Sequence, residues 1–420
     1  MSVPIRVVVV EATNASSTAA PLVLLSGGPG GSAVNDAPAF LDRFAALRSQ
    51  HDLVFMEQRG TGMSGAVQCD PLPLNVRGDD ALFAAGVEWA SSCLSSTDAD
   101  VAQYGTAAFV DDLDDILDQL GYDTVHVYGG SYGALAAQVL AIRHPDRVAT
   151  MTLDGVSGLG VPIIANIPRD SQRALDLLAA RCAADADCHA AYPDPIADLT
   201  AVLERLRTTP VELAVTDPAT GAPLVLDGVV AAQAVHALVL YTDTAPSLPG
   251  TLRAAALGIY DYLEQVVERI AAATEVNRLA MYVTIRCSEP WASPTPDNPD
   301  TASYLSDAAR MQDQFYAGVC SEWPRADVAD DETAPPATDI PILLLVGEAD
   351  AQNPPSAAAV IAEVASNTAT VIAPGHGHGI VQYGCVSDVV AHFVDNGTTD
   401  NSDLACVAAM EPPPFVLPPS

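Results

Sequence analysis

The sequence contains no lysine, and its positive charge is scarce. Its 18 basic residues are all arginine and stand against 53 aspartates and glutamates, which gives a formal net charge of −35 over 420 residues. A surface of this sign repels nucleic acid and anionic lipid. We therefore expect neither as a partner, and we interpret the acidic residues as a solvating surface rather than a binding site.

Long apolar runs are missing as well. Although 49% of the residues are hydrophobic, no run approaches the ~20 residues that a membrane helix needs. The first residues, MSVPIRVVVVEA, carry one arginine and a short apolar run. This pattern predicts a first strand rather than a signal peptide. We expect any secretion signal to precede this numbering.

The eight cysteines include no C-x-x-C pair, and the histidines are not spaced around them as metal ligands. We therefore expect no zinc site, and no metal or cofactor elsewhere. An even number of cysteines is typical of disulfides and of an oxidising compartment, with eight buried thiols as the alternative. We expect a secreted, periplasmic or cell-surface protein. Sequence alone cannot prove the pairing, but the cysteines fall into close neighbours: Cys69–Cys93, Cys182–Cys188, Cys287–Cys320 and Cys385–Cys406.

What the sequence does contain is a strand, a tight turn and a helix in residues 124–142. The turn, GGSYG, has the pattern G-x-S-x-G with Ser131 at its apex. A serine is a poor nucleophile unless it stands clear of the sheet beside a base. A turn that sharp crowds the backbone, so Gly129 and Gly133 supply the room. A bland glycine-rich turn is the alternative, but the flanking strand and helix favour a nucleophile.

A second glycine-rich segment, SGGPGG at residues 26–31, follows a predicted strand. Such a loop lets the backbone approach another group closely. We interpret it as an oxyanion loop, in which the backbone N–H near Gly28 and that of Tyr132 hold a carbonyl oxygen. The alternative is a phosphate loop, but no G-K-[ST] follows.

Strands and helices alternate on both sides of this turn, which predicts a mostly parallel sheet covered on both faces. Residues 160–336 are mainly helical and would form a cap, which divides the chain into 1–159, 160–336 and 337–420. Residues 66–100 are expected to be irregular. Five aspartates in residues 111–118 suggest a solvated helix face rather than a metal cluster. The predicted strands are residues 5–10, 21–25, 51–56, 124–128, 148–153, 340–346 and 369–372. The predicted helices are residues 38–48, 106–120, 134–142, 171–184, 196–207, 229–241, 252–273, 302–318, 356–366 and 386–394.

A nucleophilic serine needs a base and an acid that orients the base. Asp350 follows the strand at residues 340–346, with Glu348 as the alternative acid. His378 lies on the glycine-rich loop after the last strand, with His376 as the alternative base. The order Ser, Asp, His, each after a strand, is that of α/β-hydrolases. We predict a triad of Ser131, Asp350 and His378.

These motifs together resemble the prolyl aminopeptidase and tripeptidyl aminopeptidase family of serine peptidases. The resemblance covers most of the chain and includes a C-terminal region of the tripeptidyl aminopeptidase type. It implies an α/β-hydrolase fold with a helical cap, no metal, the triad above, and Gly28 and Tyr132 as oxyanion donors. Ser26 and Glu57 depart from the family, where His and Asp are common. The segments that carry the resemblance are residues 27–30, 58–64, 129–133, 153–155, 347–350 and 377–379.

An aminopeptidase has to recognise a free α-ammonium, which calls for a carboxylate opposite the serine. Glu289, in CSEPW beside Cys287, is our candidate. The predicted function is a serine exopeptidase that releases N-terminal residues or short peptides through an acyl-enzyme. A carboxylesterase with the same triad and a non-catalytic binding protein on a hydrolase scaffold are the alternatives. The oligomeric state is not predicted.

Overall fold

The computed structural model describes residues 3–273, 279–292, 302–402 and 404–418. Its centre is a sheet of seven strands in the order β1-β3-β2-β4-β5-β8-β9, and a separate hairpin is formed by β6 and β7. Only the β1–β3 pair of the large sheet is antiparallel among the described pairs. The expected mostly parallel sheet is confirmed. The strands are β1 Val7–Val10, β2 Leu22–Leu25, β3 Leu53–Met56, β4 Val125–Gly130, β5 Val148–Asp154, β6 Val211–Thr216, β7 Pro223–Leu226, β8 Ile342–Gly347 and β9 Thr368–Ala373.

Helices account for most of the remaining regular structure. Those of the core lie before β5 and after β8, and those between the two strands form a helical block. The core helices are α1 Ala33–Arg43, α2 Asp79–Ser95, α3 Thr106–Leu120, α4 Tyr132–Arg143, α13 Pro355–Ala362, α14 Val386–Asn396 and α15 Leu404–Ala408. The helices of the block are α5 Ile163–Ala184, α6 Ala186–Ala191, α7 Pro195–Thr208, α8 Gly228–Leu240, α9 Leu248–Ala256, α10 Asp261–Ala273, α11 Leu279–Ser288 and α12 Ser306–Glu322.

The central strands are buried on both faces, which explains their continuous apolar sequences. In β8, Leu344 packs into one hydrophobic cluster with α3 and α4, whereas Leu343 and Leu345 pack into another with α1 and α14. Because side chains alternate along a strand, successive leucines pack into opposite layers. A third cluster lies within the helical block, between α5, α7, α8, α9 and α10. The sheet therefore has helices on both faces, as expected.

Several local predictions differ from the structure. Residues 66–100 were expected to be irregular but contain α2, which packs closely on α12, since a Cβ at Gly86 would lie 2.1 Å from the Phe315 carbonyl. The single helix predicted at residues 252–273 is two helices, because Gly258 turns the chain with φ of 89°. The β6–β7 hairpin and α11 were not predicted at all. Packing against distant parts of the chain determines the secondary structure of these segments more than their local sequence pattern does.

The aspartate-rich face of α3 is not simply solvated. Asp112 binds Arg59 at 2.5 Å, Asp111 binds Arg143 at 2.6 Å, and Asp114 binds the next arginine along the chain, Arg147, at 2.5 Å. The same helix buries Leu113 and Leu117 on its opposite face. Three of the arginines thus attach α3 to neighbouring segments through ion pairs.

Four disulfides join the described cysteines in the expected neighbouring pairs: Cys69–Cys93, Cys182–Cys188, Cys287–Cys320 and Cys385–Cys406. Disulfides of this number are typical of proteins from an oxidising compartment. In the part of the chain that the structure describes, no helix combines the length and apolar character that a membrane span requires.

Candidate active site

Ser131 lies at the sharp turn between β4 and α4. It has a φ of 53°, a value that non-glycine residues rarely adopt and that is concentrated at functional sites. Its glycine neighbours have no space for a side chain. A Cβ at Gly133 would lie 2.1 Å from the Leu25 carbonyl oxygen, and one at Gly129 would lie 2.4 Å from the Gly133 carbonyl oxygen. The glycines therefore let the turn pack against β2 and hold Ser131 at the carboxyl edge of the sheet.

Asp154, the last residue of β5, joins this turn to the loop that follows β9. Its carbonyl accepts the Ser131 N–H at 2.8 Å. Its buried carboxylate accepts the N–H groups of Ile380 at 2.8 Å and Val381 at 3.0 Å, and the Tyr128 hydroxyl at 2.8 Å. Burial raises the pKa of Asp154, although these hydrogen bonds oppose the rise. Asp154 thus fixes the serine turn relative to the histidine loop, a role that the sequence reasoning missed.

The structure brings His378 and Asp350 into direct contact. His378 Nδ1 lies 2.7 Å from Asp350 Oδ2, and the carboxylate is fully buried. Since a carboxylate only accepts, Nδ1 carries the proton that is donated. Asp350 Oδ1 accepts the N–H groups of Gln352 at 2.9 Å and Asn353 at 2.8 Å. Asp350 is held by the backbone on one side and holds the imidazole on the other.

The ring of His378 packs against the backbone next to Asp154. A Cβ at Gly155 would lie 2.8 Å from His378 Cε1, so only glycine leaves room for the ring there. Burial pushes the pKa of His378 down, but the charges of Asp350 and Asp154 push it up, and the net pKa lies above its usual value. With Nδ1 engaged by Asp350, Nε2 is the nitrogen left to exchange a proton.

The alternative acid and base have other partners. His376 Nδ1 lies 2.8 Å from the Pro374 carbonyl oxygen, and its ring contacts Tyr383. Glu348 Oε2 accepts the Gly375 N–H at 2.8 Å. These contacts shape the histidine loop itself. The Asp350 carboxylate contacts His378 and not His376.

The glycine-rich loop after β2 runs directly against the serine. A Cβ at Gly27 would lie 3.0 Å from Ser131 Cβ, and the Gly31 N–H donates to the Gly27 carbonyl at 3.0 Å. Gly28 has a φ of 125°. Tyr132 is the first residue of α4, and the N–H of a first helical residue has no acceptor within its own helix. Backbone N–H groups of both residues are therefore close to Ser131.

A buried hydrogen-bond network supports the Tyr132 side chain behind the turn. The Tyr132 hydroxyl contacts Thr106 Oγ1 at 2.7 Å and accepts from Gln58 at 3.1 Å. Glu289 Oε1 accepts from the Thr106 hydroxyl at 2.5 Å and from its N–H at 3.1 Å, while Oε2 accepts the Trp291 indole N–H at 2.8 Å. Burial raises the pKa of Glu289. Each carboxylate oxygen of Glu289 therefore accepts at least one hydrogen bond within the protein, and binding of a substrate amine by Glu289 stays a prediction.

Glu57 and Ser26, which depart from the family pattern, form hydrogen bonds with neighbouring loops and with α1. Glu57 is fully buried and accepts from the Ser32 hydroxyl at 2.7 Å and from the Met63 N–H at 2.8 Å. The Ser26 hydroxyl donates to Asp36 at 2.7 Å. These contacts tie the loops that follow β2 and β3 to each other and to α1.

A cavity of about 220 Å³ opens between the Gly28 loop and the helical block. Its described lining carries no aspartate, glutamate or arginine. Burial lowers the pKa of His236, the histidine of this lining, to about 4, so the imidazole is neutral near pH 7. The wall opposite the oxyanion loop is therefore polar without charge. The lining residues are Gly28, Ile164, Ile167, Gln233, His236, Tyr282, Trp291, Leu305, Ala308, Ala309, Gln312 and Gln352.

Two family models match the chain. One, described as the alpha/beta hydrolase fold, matches residues 20–179. The other, described as TAP-like protein, matches residues 307–406. The first match includes the glycine-rich loop after β2 and the serine turn, and the second includes the positions of Asp350 and His378.

Curated relatives match shorter stretches. The 2-hydroxymuconate semialdehyde hydrolase of Pseudomonas putida is 38% identical over 65 residues, which is 16% of this chain and 23% of that protein. The tripeptidyl aminopeptidase of Streptomyces lividans is 27% identical over 150 residues, which is 32% of this chain and 28% of that protein. The chain thus spans about a quarter of the length of these relatives.

Among solved structures, the proline iminopeptidase of Mycobacterium smegmatis is 16% identical, with a TM-score of 0.42 over 94% of this chain and 95% of that one.

Proposed function

Because the chain belongs to the α/β-hydrolases and has a TAP-like C-terminal part, we propose that it is a serine exopeptidase of the aminopeptidase type. It would release N-terminal residues or short peptides through an acyl-enzyme. The observation that carries the proposal is the 2.7 Å contact of His378 Nδ1 with Asp350. This pair packs on Gly155, directly after the Asp154 carbonyl that holds the Ser131 turn.

The proposed chemistry follows from this arrangement. Neutral His378 takes the Ser131 hydroxyl proton on Nε2 while Oγ attacks the scissile carbonyl carbon, and Asp350 stabilises the imidazolium that forms. The backbone N–H groups of Gly28 and Tyr132 stabilise the negative charge on the carbonyl oxygen. His378 then returns the proton to the leaving amine as the C–N bond breaks. Water then gives a proton to the same nitrogen as its oxygen attacks the acyl carbon; the bond from that carbon to Ser131 Oγ breaks, and Oγ takes the proton back from His378.

The exported location remains part of this proposal. Four disulfides close loops in both the core and the helical block. A secreted, periplasmic or cell-surface enzyme would meet peptides and small esters in the oxidising medium that keeps these bonds formed.

A carboxylesterase is the second candidate, and one observation favours it. The described lining of the cavity at Gly28 has no carboxylate to pair with a substrate ammonium, and Glu289 is occupied by Thr106 and Trp291. A buried ammonium without a partner is costly. An ester with an uncharged acyl group would meet no such cost.

The two candidates separate in one set of assays. The substrates are matched aminoacyl and tripeptidyl p-nitroanilides, each with a free and with an acetylated N-terminus, beside p-nitrophenyl acetate and butyrate. We expect free-amine anilides to be cleaved and acetylation to abolish cleavage. Turnover of the esters alone would identify a carboxylesterase.

Ser131→Ala is the control for both candidates. Removal of the nucleophile should lower kcat by about a millionfold, to the background rate. A fluorophosphonate probe should label the wild-type protein and not this variant. Activity that survives in Ser131→Ala, or an unlabelled wild-type protein, would contradict the proposed mechanism.

A further inference from the structure

Helix α8 connects the cavity to the histidine loop. Its last residue, Leu240, accepts the His378 N–H at 2.8 Å through its carbonyl, and the Thr242 hydroxyl accepts the Gly377 N–H at 2.9 Å. A Cβ at Gly377 would lie 2.4 Å from the Leu240 carbonyl oxygen, so helix and loop are in direct contact. His236 lies one turn before Leu240 and lines the cavity that includes Gly28. The helix therefore holds His236 at a fixed place relative to His378.

A buried chain of hydrogen bonds orients the His236 ring. His236 Nδ1 lies 2.9 Å from Ser171 Oγ, which in turn contacts the Tyr304 hydroxyl. Ser171 is fully buried. Burial also raises the pKa of Tyr304, so this phenol keeps its proton. Two groups on separate helical-block segments thus fix one edge of the imidazole.

The proton count of this chain favours one tautomer. If Tyr304 donates to Ser171, and Ser171 donates to His236 Nδ1, every hydroxyl hydrogen of the chain has an acceptor within it, as is usual for buried hydroxyls. In that direction His236 Nδ1 is the acceptor and Nε2 carries the hydrogen.

We infer that His236 is a specificity-determining residue, whose Nε2–H donates a hydrogen bond to a neutral carbonyl oxygen of the substrate's acyl group, upstream of the scissile carbonyl. With Nδ1 turned to Ser171, the opposite edge of the ring is left to face the cavity. The hydrogen bond from the His378 N–H to the carbonyl of Leu240, one turn further along α8, places the ring near the histidine loop.

The surroundings select an uncharged acceptor. The polar side chains that share the wall with His236 are Gln233, Tyr282, Gln312 and Gln352, all neutral. A peptide or N-acyl carbonyl matches a neutral donor in a site of this kind, and a site built to hydrogen-bond a group discriminates against analogues that lack it. The ligand class is therefore an acyl group with an internal amide carbonyl. This inference rests on the proposed serine hydrolase.

The test compares the p-nitroanilides of glycylglycine and of 5-aminopentanoic acid, which both keep the free amine that an aminopeptidase requires. The two acyl chains have the same backbone length, but only the first has an upstream amide carbonyl. In His236→Phe, kcat/KM for the glycylglycine anilide should fall about tenfold, mainly through a higher KM, because one neutral hydrogen bond is lost. The 5-aminopentanoate anilide should change by about twofold or less.

Two further variants complete the design. Tyr304→Phe removes the first donor of the chain and should cause a smaller loss, again confined to the glycylglycine anilide. It also provides the readout if His236→Phe folds poorly. His189→Phe, at an exposed histidine of α6, is the matched control and should behave as wild type.

The outcomes are distinguishable. Equal losses on both anilides, or no loss on either, would overturn the role of His236 while leaving the hydrolase intact. A wild-type protein that cleaves neither of these anilides, and none of the anilides and esters used to separate the two candidate functions, would overturn the proposed function and this inference together.

Discussion

Two sides of the proposed active site differ in charge. The proposed catalytic edge, which consists of Ser131, Asp154, Asp350 and His378, carries two buried carboxylates and a histidine with a raised pKa. The neutral wall, formed by Gln233, His236, Tyr282, Gln312 and Gln352, carries no aspartate, glutamate or arginine, and the lowered pKa of His236 keeps its imidazole neutral near pH 7. Charge is concentrated where the proposed mechanism moves a proton and stabilises a buried ion. The proposed recognition uses neutral hydrogen bonds, whose desolvation costs less.

The two sides also differ in how they are held. Each group of the catalytic edge lies at or just after the carboxyl end of a parallel strand, so the register of β4, β5, β8 and β9 sets the distances between them. The neutral wall belongs to helices of the block between β5 and β8 and to the loop after β8. It reaches the catalytic edge through α8, whose end binds the histidine loop. A change on one side should therefore affect chemistry, and a change on the other should affect the choice of substrate.

The largest effect should come from removing the charge that orients His378. The Asp350→Asn side chain has one accepting oxygen in place of two. It therefore cannot accept both from His378 Nδ1 and from the backbone N–H groups of Gln352 and Asn353. The imidazolium of His378 also loses its counter-charge. We expect kcat to fall by about 10³–10⁴-fold with KM little changed. Steady-state kinetics on the preferred ester or anilide measures this directly.

Glu348→Gln is the matched control, because Glu348 is a neighbouring carboxylate that binds only the Gly375 N–H in its loop. Its kcat should stay within about tenfold of wild type, since an amide oxygen can accept the same hydrogen bond. A loss in Glu348→Gln as large as in Asp350→Asn would remove the distinction between the two acids.

The sequence points to Ser131, Asp350 and His378 of this edge, but not to Asp154, and the reason is local. The G-x-S-x-G pattern and the loops after β8 and β9 carry their residues at strand ends, where apolar runs stop abruptly at glycine. The fold prediction is confirmed for the same reason, because the strands of the central sheet are continuous apolar segments buried on both faces. Parallel pairing then brings the carboxyl ends of β4, β5 and β8 to the same edge.

The sequence does not predict contacts that depend on distant packing. Asp154 looks like an ordinary strand-end residue, yet it binds the backbone 226 residues further along, at Ile380. Glu289, predicted to bind the substrate amine, also accepts from the Thr106 hydroxyl, 183 residues away. His236 sits in an apolar helix and gains its orientation from Ser171 and Tyr304. Each case needs the position of a partner that no local pattern encodes.

The pH dependence of kcat/KM should show whether a group of the catalytic edge or a group of the neutral wall titrates. The Asp350 charge holds the pKa of His378 above its usual value despite burial. His378 acts as a base only when neutral, so activity should be lost as pH falls through this raised pKa. We expect log kcat/KM to drop by about one unit per pH unit on the acid limb, with a midpoint above about 6.5.

His236→Phe is the control for this profile. Since the pKa of His236 is lowered to about 4, its removal should leave the limb in place. A limb that disappears in His236→Phe would assign the titration to the neutral wall and contradict the division of charge between the two sides.

The smallest effect should come from loosening the link between the two sides. Thr242 is buried, and its hydroxyl accepts the Gly377 N–H next to His378. Thr242→Val keeps the shape but leaves that N–H unpaired, which costs about 1–3 kcal/mol. We expect the midpoint of thermal unfolding to fall by a few degrees and kcat to fall by about fivefold or less.

Thr244→Val is the control, since the Thr244 hydroxyl donates within the helical block, to the Leu238 carbonyl. If Thr244→Val lowers kcat as much as Thr242→Val, the contact at Gly377 is not what couples α8 to the catalytic edge.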